Sequence, residues 1–173
     1  KREGWRRSPL WQEMTHIPLL IYAPGVKPGT ASSLTSAVDL MPTVLDLAGL
    51  PVPDAVHGRS LAPLLRGESR EGPEFVVSSA PLSNVGDIVR QIDGFVRPVL
   101  EPVVSTITTL EWSLMYSLAG ARAELYNLVK DPAQLDDVIA AHGDVAAKLH
   151  QMFLSVLKER GVRKDLLEAR LSL

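Results

Sequence analysis

A nearly continuous apolar run, residues 17–22, is closed by the turn residues Pro24 and Gly25 and is the strongest structural signal in this chain. Apolarity over so short a length is typical of a β-strand that is covered on both faces, as in an α/β sheet. The run is also far shorter than the roughly 20 apolar residues that cross a bilayer. We therefore predict a buried strand at 17–22 and no transmembrane helix.

Three helices are predicted by a capping residue before the first turn and a glycine after the last. They cover residues 40–48, 61–65 and 144–160. The caps are Asp39, Ser60 and Asp144, and the glycines are Gly49, Gly67 and Gly161. Apolar residues at helical spacing make the third helix the clearest. We expect a further short helix within residues 165–173.

Short apolar runs between residues 75 and 128 are separated by Pro, Gly, Ser and Asn, which predicts antiparallel strands. Residues 111–116 and 124–128 flank the small residues 119–121, a pattern that is typical of a hairpin. The sequence therefore indicates an α/β first part followed by a smaller antiparallel sheet and a helix.

The charge balance excludes two classes of partner. Eighteen Lys and Arg residues face 20 Asp and Glu residues, which gives a net charge of -2. No global basic field attracts polyanions, so we expect neither nucleic acid nor a membrane surface as a partner.

Residue chemistry alone indicates no catalytic pair. The chain has no Cys, so it has neither a thiolate nucleophile nor a Cys-based zinc site. Its four histidines do not have the spacing of a local metal site, and we interpret each as structural. They are His16, His57, His142 and His150. We interpret His57 as part of a polar turn in which Gly58 takes an unusual backbone angle.

The chain opens on a basic cluster without an initiating Met or an apolar signal core, which predicts that it begins inside a longer gene product. The cluster consists of Lys1, Arg2, Arg6 and Arg7, with Trp5 and Trp11 beside it. Two interpretations are open for it: contact with an anionic substrate, or an ordinary solvated terminus.

Four segments resemble the later part of type I sulfatases, which belong to the alkaline phosphatase superfamily. The first two are residues 15–25 and 38–49. Residues 57–65 (HGRSLAPLL) are similar to the family's G-R-S-L-x-P-L-L segment, and residues 124–132 are similar to its closing E-L-Y-D-L-x-x-D-P. The order and spacing of the segments also fit.

The resemblance implies the C-terminal part of an alkaline-phosphatase-like α/β sandwich. Residues 1–70 would end the main domain, with the strand 17–22 in its large sheet. Residues 71–173 would form a C-terminal subdomain of antiparallel strands plus the helix 144–160. Because the rest of the main layer is missing, we expect exposed apolar surface and self-association through it.

The resemblance also implies an activity. Sulfatases hydrolyse sulfate esters with a formylglycine made from a C/S-x-P-x-R motif, beside a divalent cation that is usually Ca²⁺. This chain contains neither Cys nor a Ser-x-Pro-x-Arg sequence. We therefore expect the parent protein to supply both groups, and the fragment alone to bind no metal and to be inactive. The resemblance also implies roles for two residues. Lys1 would contact the sulfate, and His16 would lie at the substrate pocket.

Two alternatives stay open at this point. A phosphonate or phosphate-ester hydrolase of the same superfamily would share these C-terminal motifs. A non-catalytic assembly or binding module would use the same elements to contact a partner.

Overall fold

The structure is a computed structural model that describes residues 11–90, 96–98, 103–118 and 123–173. The chain divides into two compact units. One comprises residues 18–76, and the other combines residues 77–173 with the N-terminal residues up to Ile17. That residues 1–70 end a larger main domain stays a prediction.

The unit of residues 18–76 contains both predicted short helices. A 3-10 turn, Ala37–Asp39, leads into α2 (Leu40–Leu47), and α3 spans Ala62–Leu65. Glycines with φ of 69° and 75° follow these helices at positions 49 and 67, as predicted. The N-cap position of α3 is Leu61 and not the predicted Ser60, although Oγ of Ser60 accepts a hydrogen bond of 3.0 Å from the amide of Ala62.

The other two predicted helix caps also differ from the structure. Asp39 occupies the N-cap position of α2, as predicted, but its side chain makes no cap bond to that helix. Its backbone is already helical, and its Oδ2 accepts a hydrogen bond of 2.8 Å from the amide of Ser36, three residues earlier in the chain. Asp144 lies inside the first turn of α4 (Gly143–Glu159), whose N-cap position is His142. A carboxylate in the first turn still interacts favourably with the helix dipole.

The predicted buried strand is not formed in this structure. Residues 17–22 form neither a strand nor a helix, and Leu20 and Tyr22 are 89% and 96% exposed. A strand needs a neighbour that satisfies its backbone N–H and C=O groups. Within the described ranges, no strand pairs with residues 17–22.

The other unit is built on a sheet. Before the strands lies α1 (Gln12–Thr15), a single helical turn. The strands are β1 (Val76–Ser79), β2 (Ile88–Arg90), β3 (Val96–Pro98), β4 (Val104–Thr108), β5 (Trp112–Ser117) and β6 (Glu124–Asn127). They form a four-stranded sheet in the order β1-β4-β5-β6 and a separate antiparallel pair of β2 and β3.

The predicted hairpin is confirmed. β5 and β6 are antiparallel neighbours in a register that runs from Trp112 opposite Asn127 to Met115 opposite Glu124. The predicted small-residue turn, at residues 119–121, lies outside the described residues. β4 is also antiparallel to β5, so both flanks of the central strand are paired.

The long predicted helix is confirmed as α4, which packs on β4 and β5. The ring of Tyr116 lies 4.8 Å from that of His150 and 5.7 Å from that of Phe153, measured between centroids. The terminal helix is α5 (Lys164–Glu168), and Leu166 is buried. None of the helices in the described ranges combines the length and apolarity that spanning a bilayer requires.

Candidate functional site

Of the two site residues implied by the resemblance, His16 lies within the described ranges and Lys1 lies outside them. His16 ends α1, and its amide donates a hydrogen bond of 2.8 Å to the carbonyl of Gln12. Its side chain is exposed and directly precedes the exposed apolar segment 17–22. That His16 belongs to a substrate pocket stays a prediction.

The exposed apolar side of α2 is a second candidate surface. Leu40, Met41 and Val44 are exposed, and Val44 is 65% accessible. Residues three and four apart lie on the same side of a helix, so these three side chains are neighbours. Tyr22 and Leu20, in the same unit, are exposed as well. Large exposed apolar residues in such number are typical of an interaction surface.

A buried hydrogen-bond network holds the loop before α3 against α2. The buried carboxylate of Asp39 accepts the amide of Arg59 at 3.0 Å through Oδ1. Thr43, also buried, donates to the carbonyl of Asp39 at 2.6 Å and accepts the amide of Leu61 at 2.8 Å. These bonds fix both ends of the Arg59–Leu61 stretch and hold its backbone against α2.

The predicted unusual backbone angle of Gly58 is wrong, since its φ is not among the positive ones. The glycine is needed for another reason: a Cβ there would collide with the carbonyl oxygen of Val38. The sequence shows a glycine at this position, but the reason for it is visible only in the fold, where two backbone segments approach each other closely.

A shallow depression of about 290 Å³ lies beside this loop. Its lining residues are Arg59, Ser60, Leu61, Pro63, Leu64, Ser69 and Glu71. Arg59 already donates to the carbonyl of Leu34 at 3.3 Å, and Glu71 brings a carboxylate of opposite charge. The depression therefore lacks the net positive charge of a sulfate site.

The described residues do not fit a divalent metal. A site for Ca²⁺ needs several oxygen ligands that converge from separate loops. No group of three or more His, Asp or Glu residues with that arrangement occurs within the described ranges. The whole sequence also lacks a precursor motif for formylglycine.

A buried polar cluster surrounds Arg170, and the sequence did not indicate it. Arg170 is 1% exposed, and its guanidinium donates to the carbonyls of Leu166 and Ser83 at 2.7 and 2.8 Å. The ring of His150 bonds through Nε2 to the carbonyl of Arg170 at 2.9 Å. Burial lowers the pKa of Arg170 and of His150, and it raises the pKa of Tyr116. Among the described residues, the guanidinium bonds go to neutral acceptors, so the cluster anchors the C-terminal segment.

The chain is similar in sequence to a sulfatase family and to an arylsulfatase. Residues 4–75 match the sequence family described as N-sulphoglucosamine sulphohydrolase, C-terminal. The chain is 31% identical over 167 residues to Arylsulfatase K of Danio rerio, which covers 95% of this chain and 30% of that protein. It thus spans less than a third of the length of this curated relative.

Two solved structures are similar as well. A 2-O GAG sulfatase superposes with a TM-score of 0.56 at 25% identity, covering 72% of this chain and 25% of that one. A phosphonate monoester hydrolase from Silicibacter pomeroyi superposes with a TM-score of 0.55 at 29% identity, covering 80% and 28%. In each case the similarity falls on about a quarter of a larger protein.

Proposed function

The chain is the C-terminal portion of a sulfatase of the alkaline phosphatase superfamily, and on that premise we propose that its parent protein hydrolyses sulfate esters. The observation that carries the proposal is the 31% identity to an arylsulfatase across 95% of the chain. The similarity to a 2-O GAG sulfatase extends the proposed substrates to sulfated sugars.

We propose that the catalytic groups of the parent lie outside these 173 residues. A formylglycine and a divalent cation would supply the nucleophile and the charge stabilisation that sulfate transfer requires. The chain has no Cys and no Ser-x-Pro-x-Arg sequence, and its described residues offer no converging oxygen ligands. In this proposal Lys1 contacts the sulfate and His16 faces the substrate pocket.

The proposed task of the chain is to complete the main domain. The segment 17–22 would add a strand to the large sheet, and the exposed side of α2 would be covered by the same domain. The exposure of Leu20, Tyr22 and Val44 supports this, because burying each such side chain contributes about 1.5–3 kcal/mol. Without that cover, we expect the isolated chain to self-associate through these residues.

A second candidate function is the hydrolysis of phosphonate monoesters. The specific observation in its favour is the Silicibacter pomeroyi structure, at 29% identity and a TM-score of 0.55. The two reactions differ in the group transferred, so they are separable with matched aryl esters.

The test is an assay of the complete product of the reading frame that encodes this chain. It should release 4-nitrophenol faster from 4-nitrophenyl sulfate than from 4-nitrophenyl phenylphosphonate, and the 173-residue chain alone should release none from either. Faster cleavage of the phosphonate would favour the second candidate. A complete protein that cleaves neither ester would favour a non-catalytic binding module.

The docking role has a separate test. Val44→Lys places a charge on the proposed interface, and Val129→Lys places one on a turn residue that is 71% exposed. In the complete protein, the first substitution should lower the melting temperature and the second should not. In the isolated chain, Val44→Lys should instead reduce the mass of aggregates measured by light scattering. Equal melting temperatures for both variants would contradict docking through α2.

A further inference from the structure

Helix α1 is a single turn whose first amide is satisfied from far along the chain. Its N-cap residue, Trp11, makes no side-chain cap bond. The amide of Gln12 instead donates to Oε1 of Gln134 at 2.8 Å, across 122 residues. The first amides of a helix have no partner within it, so Gln134 acts as a tertiary cap.

Two features of Gln134 are energetically unfavourable. It is 0% exposed, and its backbone has a φ of 51°, in the left-handed region that glycine prefers. Its buried Nε2 has no hydrogen-bond partner within the described residues. Both features cost stability, and strain of this kind is concentrated at functional positions. An apolar residue would avoid the unpaired amide, but it could not accept the bond from Gln12.

The cap also fixes the opposite end of the turn. The carbonyl of Gln12 accepts the amide of His16 at 2.8 Å, so two consecutive hydrogen bonds connect Gln134 to the backbone of His16. A helix of four residues is not stable alone, because nucleation is unfavourable. The position of α1 therefore depends on its contacts with the rest of the unit.

The second attachment is apolar. Trp11 packs against the cluster of Val104, Met115 and Tyr126 on one face of the sheet. An apolar contact is non-directional. It holds α1 on the sheet but does not set its orientation, whereas the bond from Gln12 to Gln134 does.

We propose that Gln134 is a positioning residue, which orients α1 and through it places the side chain of His16 in the substrate pocket. The inference rests on the proposed function, because it takes His16 to face the bound ester. It assigns to the C-terminal subdomain an indirect part in substrate binding, because Gln134 acts through the backbone of α1.

The decisive variant is Gln134→Met in the complete protein, since Met keeps the length of the side chain but accepts no comparable hydrogen bond. The matched control is Gln151→Met, on the exposed side of α4. We expect Gln134→Met to raise KM for 4-nitrophenyl sulfate about threefold to tenfold, which corresponds to the loss of one ordinary hydrogen bond, with kcat within about twofold.

A double-mutant cycle with His16→Ala separates positioning from general destabilisation. If Gln134 acts through His16, its effect on KM should vanish in the His16→Ala background. An unchanged KM in Gln134→Met, or effects that simply multiply in the double variant, would overturn the proposal.

Amide hydrogen exchange gives a readout that does not depend on turnover. The amides of Gln12 and His16 should exchange about tenfold faster in Gln134→Met than in the wild type or in Gln151→Met. Unchanged exchange would overturn the positioning role, even in an active enzyme. Faster exchange in a protein that cleaves no sulfate ester would overturn the proposed function, and with it the assignment of His16 to a pocket.

Discussion

Nη2 of Arg170 donates a hydrogen bond of 2.8 Å to the carbonyl oxygen of Ser83, across 87 residues of chain. Nη1 of the same guanidinium bonds to the carbonyl of Leu166 and, at 3.1 Å, to Oδ1 of Asn84. One buried side chain thus joins α5 to the loop that follows β1. The C-terminal segment is therefore an integral part of its unit.

Arg170→Met should lower the free energy of unfolding by about 2–4 kcal/mol, because two buried carbonyls and the partly buried amide oxygen of Asn84 lose their donor. Urea unfolding followed by circular dichroism measures the loss. The exposed Arg160 is the control, and Arg160→Met should change stability by less than about 0.5 kcal/mol. Equal effects of the two substitutions would contradict the anchoring role.

His150 should make stability depend on pH. Burial lowers its pKa in the folded chain, so between that pKa and the ordinary value of about 6.5 the unfolded chain binds more protons. The free energy of unfolding should therefore be fully retained above about pH 6.5 and should fall as the pH drops below it.

The measurement is a series of urea unfolding curves between about pH 8 and pH 5 on the wild type and on His150→Gln. The variant should be less stable at pH 8, because it loses the ring contact with Tyr116, yet its pH dependence should be flatter. A slope as steep as that of the wild type would mean that another group controls the acid sensitivity.

Gly58→Ala should destabilise the unit of residues 18–76 by about 1–3 kcal/mol, because the new methyl group meets the backbone of Val38 and the chain must move apart. Gly29→Ala in the same unit is the matched control, since a Cβ there has no neighbour within 4 Å. Melting curves by circular dichroism compare the two. The close approach would be refuted by equal melting temperatures.

Thr43→Val should cost about 1–3 kcal/mol, because it removes both the donor to Asp39 and the acceptor for the amide of Leu61 in a buried place. The same replacement at the exposed Thr30 should be nearly neutral. Limited proteolysis should locate the effect, with faster cleavage in residues 57–61. Cleavage at wild-type rates in this stretch would show that the loop does not depend on Thr43.

Local signals in the sequence were sufficient for most of the secondary structure. The helices near residues 40–48, 61–65 and 144–160 are confirmed, since apolar spacing, prolines and terminal glycines act within a few residues of one another. The hairpin of β5 and β6 is confirmed for the same reason. The motif order also indicated the sulfatase family, which the comparisons support.

Only the tertiary structure decided the contacts between distant segments. The strand predicted at 17–22 has no pairing partner within the described residues, and strand formation depends on a partner that a local pattern does not specify. The burial of Arg170, the close approach at Gly58 and the cap that Gln134 provides for α1 join positions 20 to 122 residues apart. Sequence patterns report what neighbouring residues favour, whereas these contacts exist only because the completed fold brings separate segments together.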